Sequence, residues 1–438
     1  MKRIYEPYAY SADARSECFW CLPDQDWPQV DGDLTTEVAV IGAGYTGLSA
    51  ALHLAQAGAQ VTVLDAERPG WGASGRNGGF CCAGGAKMSP ETMSKHHGEA
   101  ATRAYYAAER AAVELVADLL DAHGIDAETH SDGEVQLAHL PSRMKDLQAE
   151  AADWQSMGVA AEIIPKTALA DRGMAGAEFH GAMHLKLGFA LNPALYAHGL
   201  ALAAQKAGAD IRAQSPVTQI TPLTQGYRLE TPTGTVTAQK LILATNGYSS
   251  DDLPDWLSAR YLPVQSNILV TRPLTEDERT AQGWTTDLMA YDSRNLLHYF
   301  RLLPDGRFLI GTRGNVTATP DGQEAMRART RADLARMFPA WTDVETPNFW
   351  SGLVCLTRSL TPYGGPLGDW PNAWAGLGYH GNGVAMGTWT GARLADMALG
   401  RGDAGAIHAS PLARIPLGPA RRLLLRAAYW GYQLKDRL

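Results

Sequence analysis

Apolar and polar residues between Glu37 and Asp65 follow a pattern that predicts three successive elements. The run from Val38 to Ile41 is wholly apolar, which is typical of a buried strand. Apolar residues then recur with the i, i+3, i+4, i+7 spacing of a helix that buries one face, at Leu48, Ala51, Leu52 and Ala55. A second apolar run ends at Asp65. The segment therefore predicts a strand, a helix and a second strand.

The turn between the first strand and the helix has the glycine spacing GxGxxG, with Gly42, Gly44 and Gly47. Gly42 permits the tight turn, Gly44 lets the backbone approach a pyrophosphate, and Gly47 lets the helix pack on the strand. The helix N-terminus favours an anion. Asp65 lies 23 residues after Gly42, near the position of a ribose-binding acid. The unit predicts a dinucleotide site, and the alternative is a structural glycine turn in an α/β core.

Other elements follow from similar patterns and from turn residues. Helices are predicted in three places: one or two between Ser89 and His123, one over 193–208, and one that follows the glycine-rich stretch from Gly376 and ends near Ala398. Strands are predicted at 127–139 with a hairpin turn at Asp132-Gly133, at 217–222, 226–231, 235–238 and 241–248, and within 260–312 with a hairpin at Asp305-Gly306.

These elements predict an α/β protein with a discontinuous, Rossmann-like nucleotide-binding domain and an inserted substrate domain of mainly antiparallel sheet plus helices. Glycine clusters near both ends of the chain indicate that the two ends meet around one ligand. The expected divisions are an N-terminal arm at 1–30, the nucleotide-binding domain at 31–88, 192–256 and 345–438, and the substrate domain at 89–191 and 257–344.

Composition excludes several classes of protein. The chain has 438 residues, enough for two cores, and its net charge of −8 disfavours a nucleic-acid partner. The N-terminal residues lack the apolar region of a secretory signal, and no apolar run reaches roughly 18 residues. We therefore expect no transmembrane helix and a cytoplasmic location. The basic C-terminal segment is expected to pack on the protein rather than on a membrane; its basic residues are Arg421, Arg422, Arg426, Lys435 and Arg437.

Five cysteines fit a reducing compartment better than a disulfide framework. Cys18, Cys21, Cys81 and Cys82 offer four thiolates to a zinc ion, but the second pair is adjacent, which is poor spacing for zinc ligands. We therefore expect buried or idle thiols and no metal site.

Several strings together resemble the D-amino-acid-oxidase-like flavoproteins. They are the strand-helix-strand unit, WGASGRNGGF at 71–80, ATNGY at 244–248, and GLGYHGNGVAMGTWTGARLADMALG at 376–400. Within that family, GASGRNGG is most similar to the γ-glutamylputrescine oxidase branch, and the likeness runs nearly end to end. The resemblance implies FAD, held without a covalent bond, a two-domain fold, and oxidation of an amine C–N bond to an imine.

The glycine turn and the resemblance together assign residues to FAD binding. The first unit supplies Gly42, Gly44, Tyr45, Thr46, Gly47, Asp65, Ala66 and Arg68. The second glycine loop supplies Gly72, Ala73, Ser74, Arg76, Asn77, Gly78 and Gly79, and the middle of the chain supplies Val217, Ala244, Thr245 and Gly247. The late glycine stretch supplies Gly378, Gly381, Asn382, Gly383 and Val384, where a helix N-terminus would face the flavin pyrimidine edge.

Four positions qualify the resemblance. His380 and Asn382 stand in exchanged order relative to the G-Y-S-G-H-G of relatives, so His380 is either a substrate or flavin contact or a structural histidine. Leu309 stands where some relatives have a lysine that activates oxygen. Arg76 corresponds to a histidine that other relatives link to FAD, and is expected beside the flavin or in an ion pair. Cys355 lies near the place where another branch attaches FAD through cysteine.

The string NLLHYFR at 295–301 supplies candidates for the substrate side. Alternate residues of a strand share a face, so His298 and Phe300 face one way and Tyr299 and Arg301 the other. We expect Tyr299 and Arg301 to face the cleft and to act in catalysis with His380. The alternative is ordinary strand packing with Arg301 in an ion pair. Trp350 and Tyr363 are weaker candidates that fit a core better.

The resulting hypothesis is an FAD-dependent oxidase of a primary or secondary amine or an amino acid, such as γ-glutamylputrescine. Hydride would pass to flavin N5, the imine would hydrolyse to an aldehyde, and O2 would reoxidise the flavin to give H2O2. The alternatives are a dehydrogenase that passes electrons to a quinone or another carrier, a non-catalytic FAD-binding scaffold, and a nicotinamide dehydrogenase. The particular amine and the oligomeric state do not follow from the sequence.

Overall fold

A computed structural model describes residues 1–436, in which the chain forms two eight-stranded sheets, one two-stranded sheet and nine α-helices. The strands are β1 Gly32–Ile41, β2 Val61–Leu64, β3 Phe80–Cys81, β4 Glu134–Leu137, β5 Ala161–Pro165, β6 Gly181–Leu185, β7 Phe189–Ala190, β8 Asp210–Arg212, β9 Gln219–Pro222, β10 Tyr227–Thr231, β11 Gly234–Leu243, β12 Leu262–Val270, β13 Met289–Asp292, β14 Tyr299–Leu302, β15 Phe308–Arg313, β16 Asn348–Leu356, β17 Tyr363–Pro366 and β18 Ala373–Leu377. The helices are α1 Tyr45–Gln56, α2 Pro90–His97, α3 Glu99–His123, α4 Arg143–Ser156, α5 Pro193–Lys206, α6 Glu276–Gln282, α7 Pro320–Met337, α8 Ala385–Ala398 and α9 Arg422–Lys435.

The first sheet has the strand order β17-β18-β11-β1-β2-β8, and the hairpin of β9 and β10 extends from β11. Strands β18, β11, β1, β2 and β8 run parallel. The paired residues Val40 and Ile242 are fully buried because helices α1, α3, α5 and α8 cover one face of the sheet. The parallel order and its helices confirm the predicted Rossmann-like α/β fold.

The second sheet has the order β16-β12-β15-β14-β13-β4-β6-β5 and is antiparallel except between β13 and β4. One of its faces packs against α7 around a cluster of buried aromatic rings, which are Phe179, Trp284, Phe300, Phe308, Phe338 and Trp341. Adjacent rings in this cluster pack mainly edge to face, for example Phe308 and Trp341 at 4.7 Å between centroids. The opposite face of the sheet looks towards the first sheet. This arrangement confirms a mainly antiparallel sheet inserted into the nucleotide fold.

Strand β16 differs from the expected domain division. The sequence placed residues from 345 onward in the nucleotide-binding domain, but β16 pairs along its whole length with β12 of the second sheet, with Val354 opposite Val264. Its side chains alternate between buried and half-buried, which is the pattern of a sheet with two unlike faces. The chain therefore returns to the first sheet only at β17.

Local predictions were mostly confirmed, with two exceptions. The helices at 89–123 are two, because Gly98 has φ +84° and separates α2 from α3. The hairpins at 217–238 and at Asp305-Gly306 both form. The predicted hairpin at 127–139 was wrong: Gly133 does turn, but β4 pairs with β6 and β13 instead of with the preceding residues. The strands predicted at 235–238 and from 241 are one continuous strand, β11, which ends at Leu243 and runs into the turn at Asn246–Tyr248 as predicted.

The N-terminal residues form two short 3₁₀ helices, Pro7–Tyr10 and Asp13–Arg15, and lie against both sheets. Trp20 is buried, and its indole N–H donates to the carbonyl oxygen of Asn77 at 2.8 Å. At the other end, Arg421 forms two hydrogen bonds with Asp251. The basic segment thus contacts the body of the protein here, while Arg437 lies outside the described residues. Within residues 1–436, no helix is both long and apolar enough to cross a membrane.

Candidate active site

The turn between β1 and α1 is packed so closely that only glycine fits. Gly42 has φ +105°, and a Cβ built on it would lie 2.8 Å from the carbonyl oxygen of Ala244. A Cβ on Gly47 would collide with the carbonyl oxygen of Gly42, and one on Gly44 would lie 2.9 Å from Oγ of Ser74. The turn therefore holds the start of α1 against β11 and against the second glycine loop, and leaves an open backbone surface for a pyrophosphate.

Asp65 ends β2 beside this turn. One carboxylate oxygen accepts the amide of Ala43 at 2.6 Å and the other accepts that of Glu67 at 2.9 Å. Burial raises the pKa of Asp65 to about 6, although the two amide donors oppose that shift. The side chain also lines the cavity next to the turn, where its remaining lone pairs face the space expected for a ribose.

A cavity of about 250 Å³ runs from Asp65 along the glycine turn to the start of α8. Most of the predicted FAD residues line it, namely Gly42, Gly44, Tyr45, Thr46, Asp65, Ala66, Gly72, Ala73, Ser74, Asn77, Val217, Ala244, Thr245, Gly381, Gly383 and Val384. Arg76, Gly78 and Asn382 line the larger cavity that continues from it.

Five predicted FAD residues line neither cavity: Gly47, Arg68, Gly79, Gly247 and Gly378. Gly378 has φ +83°, and its amide donates to Oδ1 of Asn246 at 3.0 Å. Arg68 lines a separate surface groove with Arg15 and Gln214. The four glycines pack closely against neighbouring segments beside the cavities, whereas Arg68 lies outside them.

The second glycine loop is tied to α1 through side chains. The amide of Tyr45 donates to Oγ of Ser74 at 3.0 Å, and the Tyr45 hydroxyl donates to the Ser74 carbonyl at 2.6 Å. Oδ1 of Asn77 accepts the amide of Gly79 at 2.7 Å. The loop is thus fixed at both ends, so its exposed backbone amides are held ready for a cofactor.

Arg76 is buried beneath this loop. Its guanidinium donates to the carbonyl oxygens of Trp71 (2.7 Å), Gly72 (3.2 Å) and Ser351 (3.3 Å), and it lies 4.4 Å from the centroid of the Trp71 ring. No carboxylate among residues 1–436 pairs with it, so the predicted alternative of an ion pair does not occur there. Arg76 is a buried cation held by backbone oxygens at the edge of the larger cavity.

The larger cavity, of about 1530 Å³, lies between the two sheets. It meets the narrower cavity at residues that line both, which are Ala73, Asn77, Leu353, Val354, His380, Gly381 and Val384. Tyr299 faces it as predicted: the ring packs on Gly78 and edge to face on Phe80, and its hydroxyl lies 3.2 Å from Oγ of Ser266. Helix α9 covers another wall with Leu425 and Tyr429.

Arg301 does not lie in the cleft. It is completely buried, and its guanidinium donates to the carbonyl oxygens of Gly78 (3.0 Å) and Leu191 (2.7 Å) and to Nε2 of His130 (2.9 Å). Burial lowers its pKa to about 9. All three guanidinium nitrogens donate to protein acceptors, and Arg301 is not among the residues that line the cavity. Arg301 shares a face of the strand with Tyr299, as predicted. Its long side chain, however, extends beyond the cavity and places the guanidinium against the backbone at Gly78 and Leu191.

His380 lines both cavities, but both of its ring nitrogens are hydrogen-bonded to the backbone. Its Nδ1–H donates to the carbonyl oxygen of Gly85 at 2.6 Å, and Nε2 accepts the amide of Thr357 at 3.2 Å. Burial lowers the pKa of His380 to about 3. Both ring nitrogens are therefore occupied in the neutral tautomer, and the ring joins the loop before α2 to the end of β16. The predicted catalytic role for His380 is not supported by this geometry.

The residues before α8 form a second support. Gly381 has φ +114°, and Nδ2 of Asn382 donates to the carbonyl oxygen of Ala83 at 2.7 Å. The Tyr379 hydroxyl lies 2.7 Å from Oγ1 of Thr46, which connects this segment to α1. Helix α8 therefore starts next to the junction of the two cavities, which Gly381 and Val384 line.

Of four other predicted positions, Cys355 lines the narrow cavity, whereas Leu309, Trp350 and Tyr363 lie in packed surroundings outside both cavities. Cys355 is buried, and burial raises the pKa of its thiol to about 12, so the thiolate needed for attachment is disfavoured. Leu309 is buried with Trp20, Ile268 and Trp350 and does not line the cavity. Trp350 and Tyr363 belong to the core, as expected. Among residues 1–436, no group of three or more His, Cys, Asp or Glu side chains could hold a metal ion.

A set of cavity residues on α3, β4 and α4 was not predicted from the sequence; it includes Tyr105, Glu109, Glu134 and Glu150. A signal for Glu109 was present in the sequence. It falls on the apolar face of α3, in phase with Ala112, Val113 and Val116, where a carboxylate is costly without a role. Glu134 gives no such signal, because its position beside a turn is typical of an exposed residue.

The close-packed turn, the ordered loop and the start of α8 define a dinucleotide-binding protein whose cofactor site opens into a substrate cavity. A family model described as DAO, FAD dependent oxidoreductase, matches residues 37–397. The chain therefore belongs to this family of FAD-dependent oxidoreductases, and its cofactor is FAD. The family resemblance stated above is confirmed.

Individual relatives agree with this assignment. The gamma-glutamylputrescine oxidoreductase of Escherichia coli (strain K12) is 31% identical over 412 residues, which cover 92% of this chain and 94% of that protein. The probable oxidoreductase OrdL of Rhizobium meliloti (strain 1021) is 31% identical over 423 residues, 94% of each protein. The crystal structure of glycine oxidase from Geobacillus kaustophilus superposes with a TM-score of 0.69 at 22% identity, over 87% of this chain and 99% of that one.

Proposed function

We propose that this protein oxidises the C–N bond of a primary or secondary amine, with γ-glutamylputrescine or a closely related compound as substrate. The carbon next to the nitrogen loses a hydride, and the resulting imine is hydrolysed by water to an aldehyde. FAD, when bound, supplies the hydride acceptor at N5 and passes the electrons to O2, which gives H2O2. Identity of 31% to a gamma-glutamylputrescine oxidoreductase over most of both chains supports this choice of substrate.

The observation that carries the proposal is the junction of the two cavities. The narrow cavity has the close-packed glycines of a nucleotide site, and the wide one has side chains that suit an amine. Both are lined by Asn77, Gly381 and Val384, so a group at the end of the nucleotide site is in reach of a molecule in the wide cavity. Enclosure between the sheets would orient the substrate and exclude water from the reacting carbon.

Aromatic side chains form part of the wall where the reacting amine would lie. The rings of Tyr299 and Phe80 pack edge to face, with their centroids 5.5 Å apart. Such a wall desolvates a neutral amine and attracts residual positive charge. Both ring nitrogens of His380 and all three guanidinium nitrogens of Arg301 are hydrogen-bonded within the protein. This protein would therefore position an amine that reacts in its neutral form, with no histidine or arginine acting as a base.

The electron acceptor is tested by reducing the holoenzyme with amine in the absence of air and then admitting oxygen. Bleaching of the flavin band by γ-glutamylputrescine, followed by recovery within seconds and formation of H2O2, is expected. Recovery over many minutes that a quinone accelerates would instead indicate a dehydrogenase. Failure of every amine and amino acid to bleach the flavin would contradict the proposed function and favour a non-catalytic scaffold.

A cytoplasmic location belongs to the same proposal. It is supported by the five cysteines, which are all free thiols, as is usual in a reducing compartment. Fractionation of cells with an antibody against the protein, followed by assay of each fraction, tests it.

A further inference from the structure

Three glutamates from three different elements line one region of the wide cavity. They are Glu109 from α3, Glu134 from β4 and Glu150 from α4. Glu109 and Glu134 are each 3% exposed, and Glu150 is half-buried. Buried carboxylates are rare unless a partner compensates their charge, so their convergence on a cavity requires an explanation.

Two neutral oxygen atoms on the same wall lack a hydrogen-bond partner. The hydroxyl of Tyr105, which is 2% exposed, makes no well-formed hydrogen bond, although it lies beside the Glu109 carboxylate and its ring stacks on His408 at 5.0 Å. Oε1 of Gln136 also has none. Both residues line the cavity. An amide oxygen only accepts hydrogen bonds, and a phenol oxygen can accept one as well as donating its own proton, so both atoms can accept an N–H group from a bound molecule.

The basic residues of the cavity form no ion pair with these carboxylates, although Lys87 lies near enough to lower the pKa of all three. Lys87 is the one lysine on the cavity wall within residues 1–436, and in that range it forms no ion pair with any of the three glutamates. Arg294 is paired with Asp292 and Glu178, Arg103 with Glu99, and Arg76 with backbone oxygens. Arg313 lies beside Gly381, on the flavin side. Acidic groups therefore outnumber cationic ones around Glu109 and Glu134.

The pKa values of Glu109 and Glu134 fit a site that would bind a cation. Burial raises the pKa of Glu109 to about 8, and burial together with the neighbouring carboxylates of Glu150 and Glu109 raises that of Glu134 to about 8. A cation placed between them would restore the charged forms and release protons.

We propose that Glu109 and Glu134, together with the Tyr105 hydroxyl and the Gln136 amide oxygen, bind a second ammonium group of the substrate, one that is not oxidised. This inference rests on the amine oxidation proposed above and narrows its substrate class to diamines and N-substituted diamines that carry a cation remote from the reacting nitrogen. An ammonium has three N–H donors and a full charge, which match the acceptors and the excess acid of this wall. In γ-glutamylputrescine the α-ammonium of the glutamyl group would fill this role.

Binding to the FAD-loaded protein tests the inference directly. The diamines of butane, hexane, octane and decane, and γ-glutamylputrescine, are titrated calorimetrically without oxygen, each alkyl diamine beside the monoamine of equal length. At least one diamine is expected to bind roughly 10-fold or more tightly than its monoamine, since a charged hydrogen bond contributes about 1.5–3 kcal/mol and each 1.4 kcal/mol is tenfold. Binding of that diamine should also release protons, and titrations in buffers of different ionisation enthalpy measure how many.

The variants Glu109→Gln and Glu134→Gln keep the side-chain shape and remove the charge. Each is expected to weaken diamine binding about 10-fold and to change monoamine binding less than about twofold. Glu91→Gln, an exposed carboxylate at the rim of the same cavity, should leave both unchanged. Flavin content and thermal unfolding are measured for each variant. If one variant fails to retain FAD, the other variant and the comparison of diamine with monoamine in the unchanged protein still decide the question.

The outcomes separate this inference from the proposed function. If amines bleach the flavin but no diamine binds more tightly than its monoamine, or both glutamine variants keep the preference, the ammonium subsite is refuted and amine oxidation stands. If diamines bind preferentially and the glutamine variants lose that preference while nothing bleaches the flavin, the subsite is supported and the proposed reaction fails.

Discussion

Nε of Arg301 donates a hydrogen bond of 3.0 Å to the carbonyl oxygen of Gly78, so a strand of the second sheet directly holds the glycine loop of the FAD site. The same guanidinium binds the carbonyl oxygen of Leu191. Through one buried side chain, the sheet that bears the substrate cavity fixes the geometry of the cofactor loop. Arg301 is thus a positioning residue rather than a catalytic one.

Replacement Arg301→Lys should therefore lower the amount of FAD bound to the protein. The FAD that stays bound should react at a nearly unchanged rate. A lysine cannot bridge both carbonyls, and each buried acceptor that loses its donor costs about 1–3 kcal/mol. We expect a lower free energy of unfolding and a lower ratio of flavin to protein absorbance. Arg307→Lys is the matched control, because Arg307 pairs at the surface with Asp305 on the same hairpin. Equal flavin content in the two variants would contradict this role.

Tyr299 tests the aromatic wall. If its ring desolvates the amine, Tyr299→Phe should keep kcat/KM within about threefold, whereas Tyr299→Leu should lower it about 10-fold or more, because a ring contributes roughly 1 kcal/mol or more to a nearby cation. The rate of anaerobic flavin reduction measures this effect apart from reoxidation. A large loss in the phenylalanine variant would instead assign a role to the hydroxyl that lies near Ser266.

His298 gives a pH dependence of stability with a definite sign. Burial alone would lower its pKa, but the carboxylates of Asp292 at 2.7 Å and Asp333 at 3.2 Å outweigh burial and raise it to about 9. Because the folded pKa exceeds the unfolded value of about 6.5, the stabilisation is complete below pH ~6.5 and is lost as the pH rises through 9.

Replacement His298→Gln should accordingly cost the most stability at acidic to neutral pH, about 2–3 kcal/mol at pH 6, and much less above pH 9. Urea unfolding at both pH values measures the difference. His96→Gln, on the exposed side of α2, is the control and should show no such trend. A cost that is the same at both pH values would show that the histidine acts through packing alone.

Gly42 tests the fit of the nucleotide turn. In Gly42→Ala the new methyl would lie 2.8 Å from the carbonyl oxygen of Ala244 in a left-handed backbone conformation. We expect loss of bound FAD, because the turn must shift to relieve the contact. Gly58→Ala is a matched control: it has a similar φ of +85° but no atom within 4 Å of the new methyl. It should cost about 1–2 kcal/mol of stability and keep its flavin.

The nucleotide unit could be predicted from the sequence because all of its determinants are local. The spacing of Gly42, Gly44 and Gly47 and the apolar face of α1 lie within one short segment, and each has a backbone reason. Strand alternation likewise placed Tyr299 and His298 on opposite faces. The family resemblance added the second loop and the start of α8, whose glycines are distant in sequence from the first turn.

The positions of side-chain atoms could not be predicted in this way. Arg301 shares the face of Tyr299, but the reach of its side chain and the carbonyls it meets depend on Gly78 and Leu191, which only the fold brings near. His380 has both ring nitrogens occupied by segments far away in sequence. Glu109 and Glu134 converge from a helix and a strand with no common motif, so their cluster follows from the tertiary arrangement alone.

Between residues 32 and 377 the chain crosses from one sheet to the other four times, and the last parallel strand of the first sheet, β18, is made after all of the second. A growing polypeptide therefore cannot complete its nucleotide fold on the ribosome before β18, Ala373–Leu377, has been synthesised. Chains released earlier lack β18 beside β11 and the start of α8. We therefore expect FAD to be acquired late in biogenesis, and a chain truncated before β18 to expose the edge of β11.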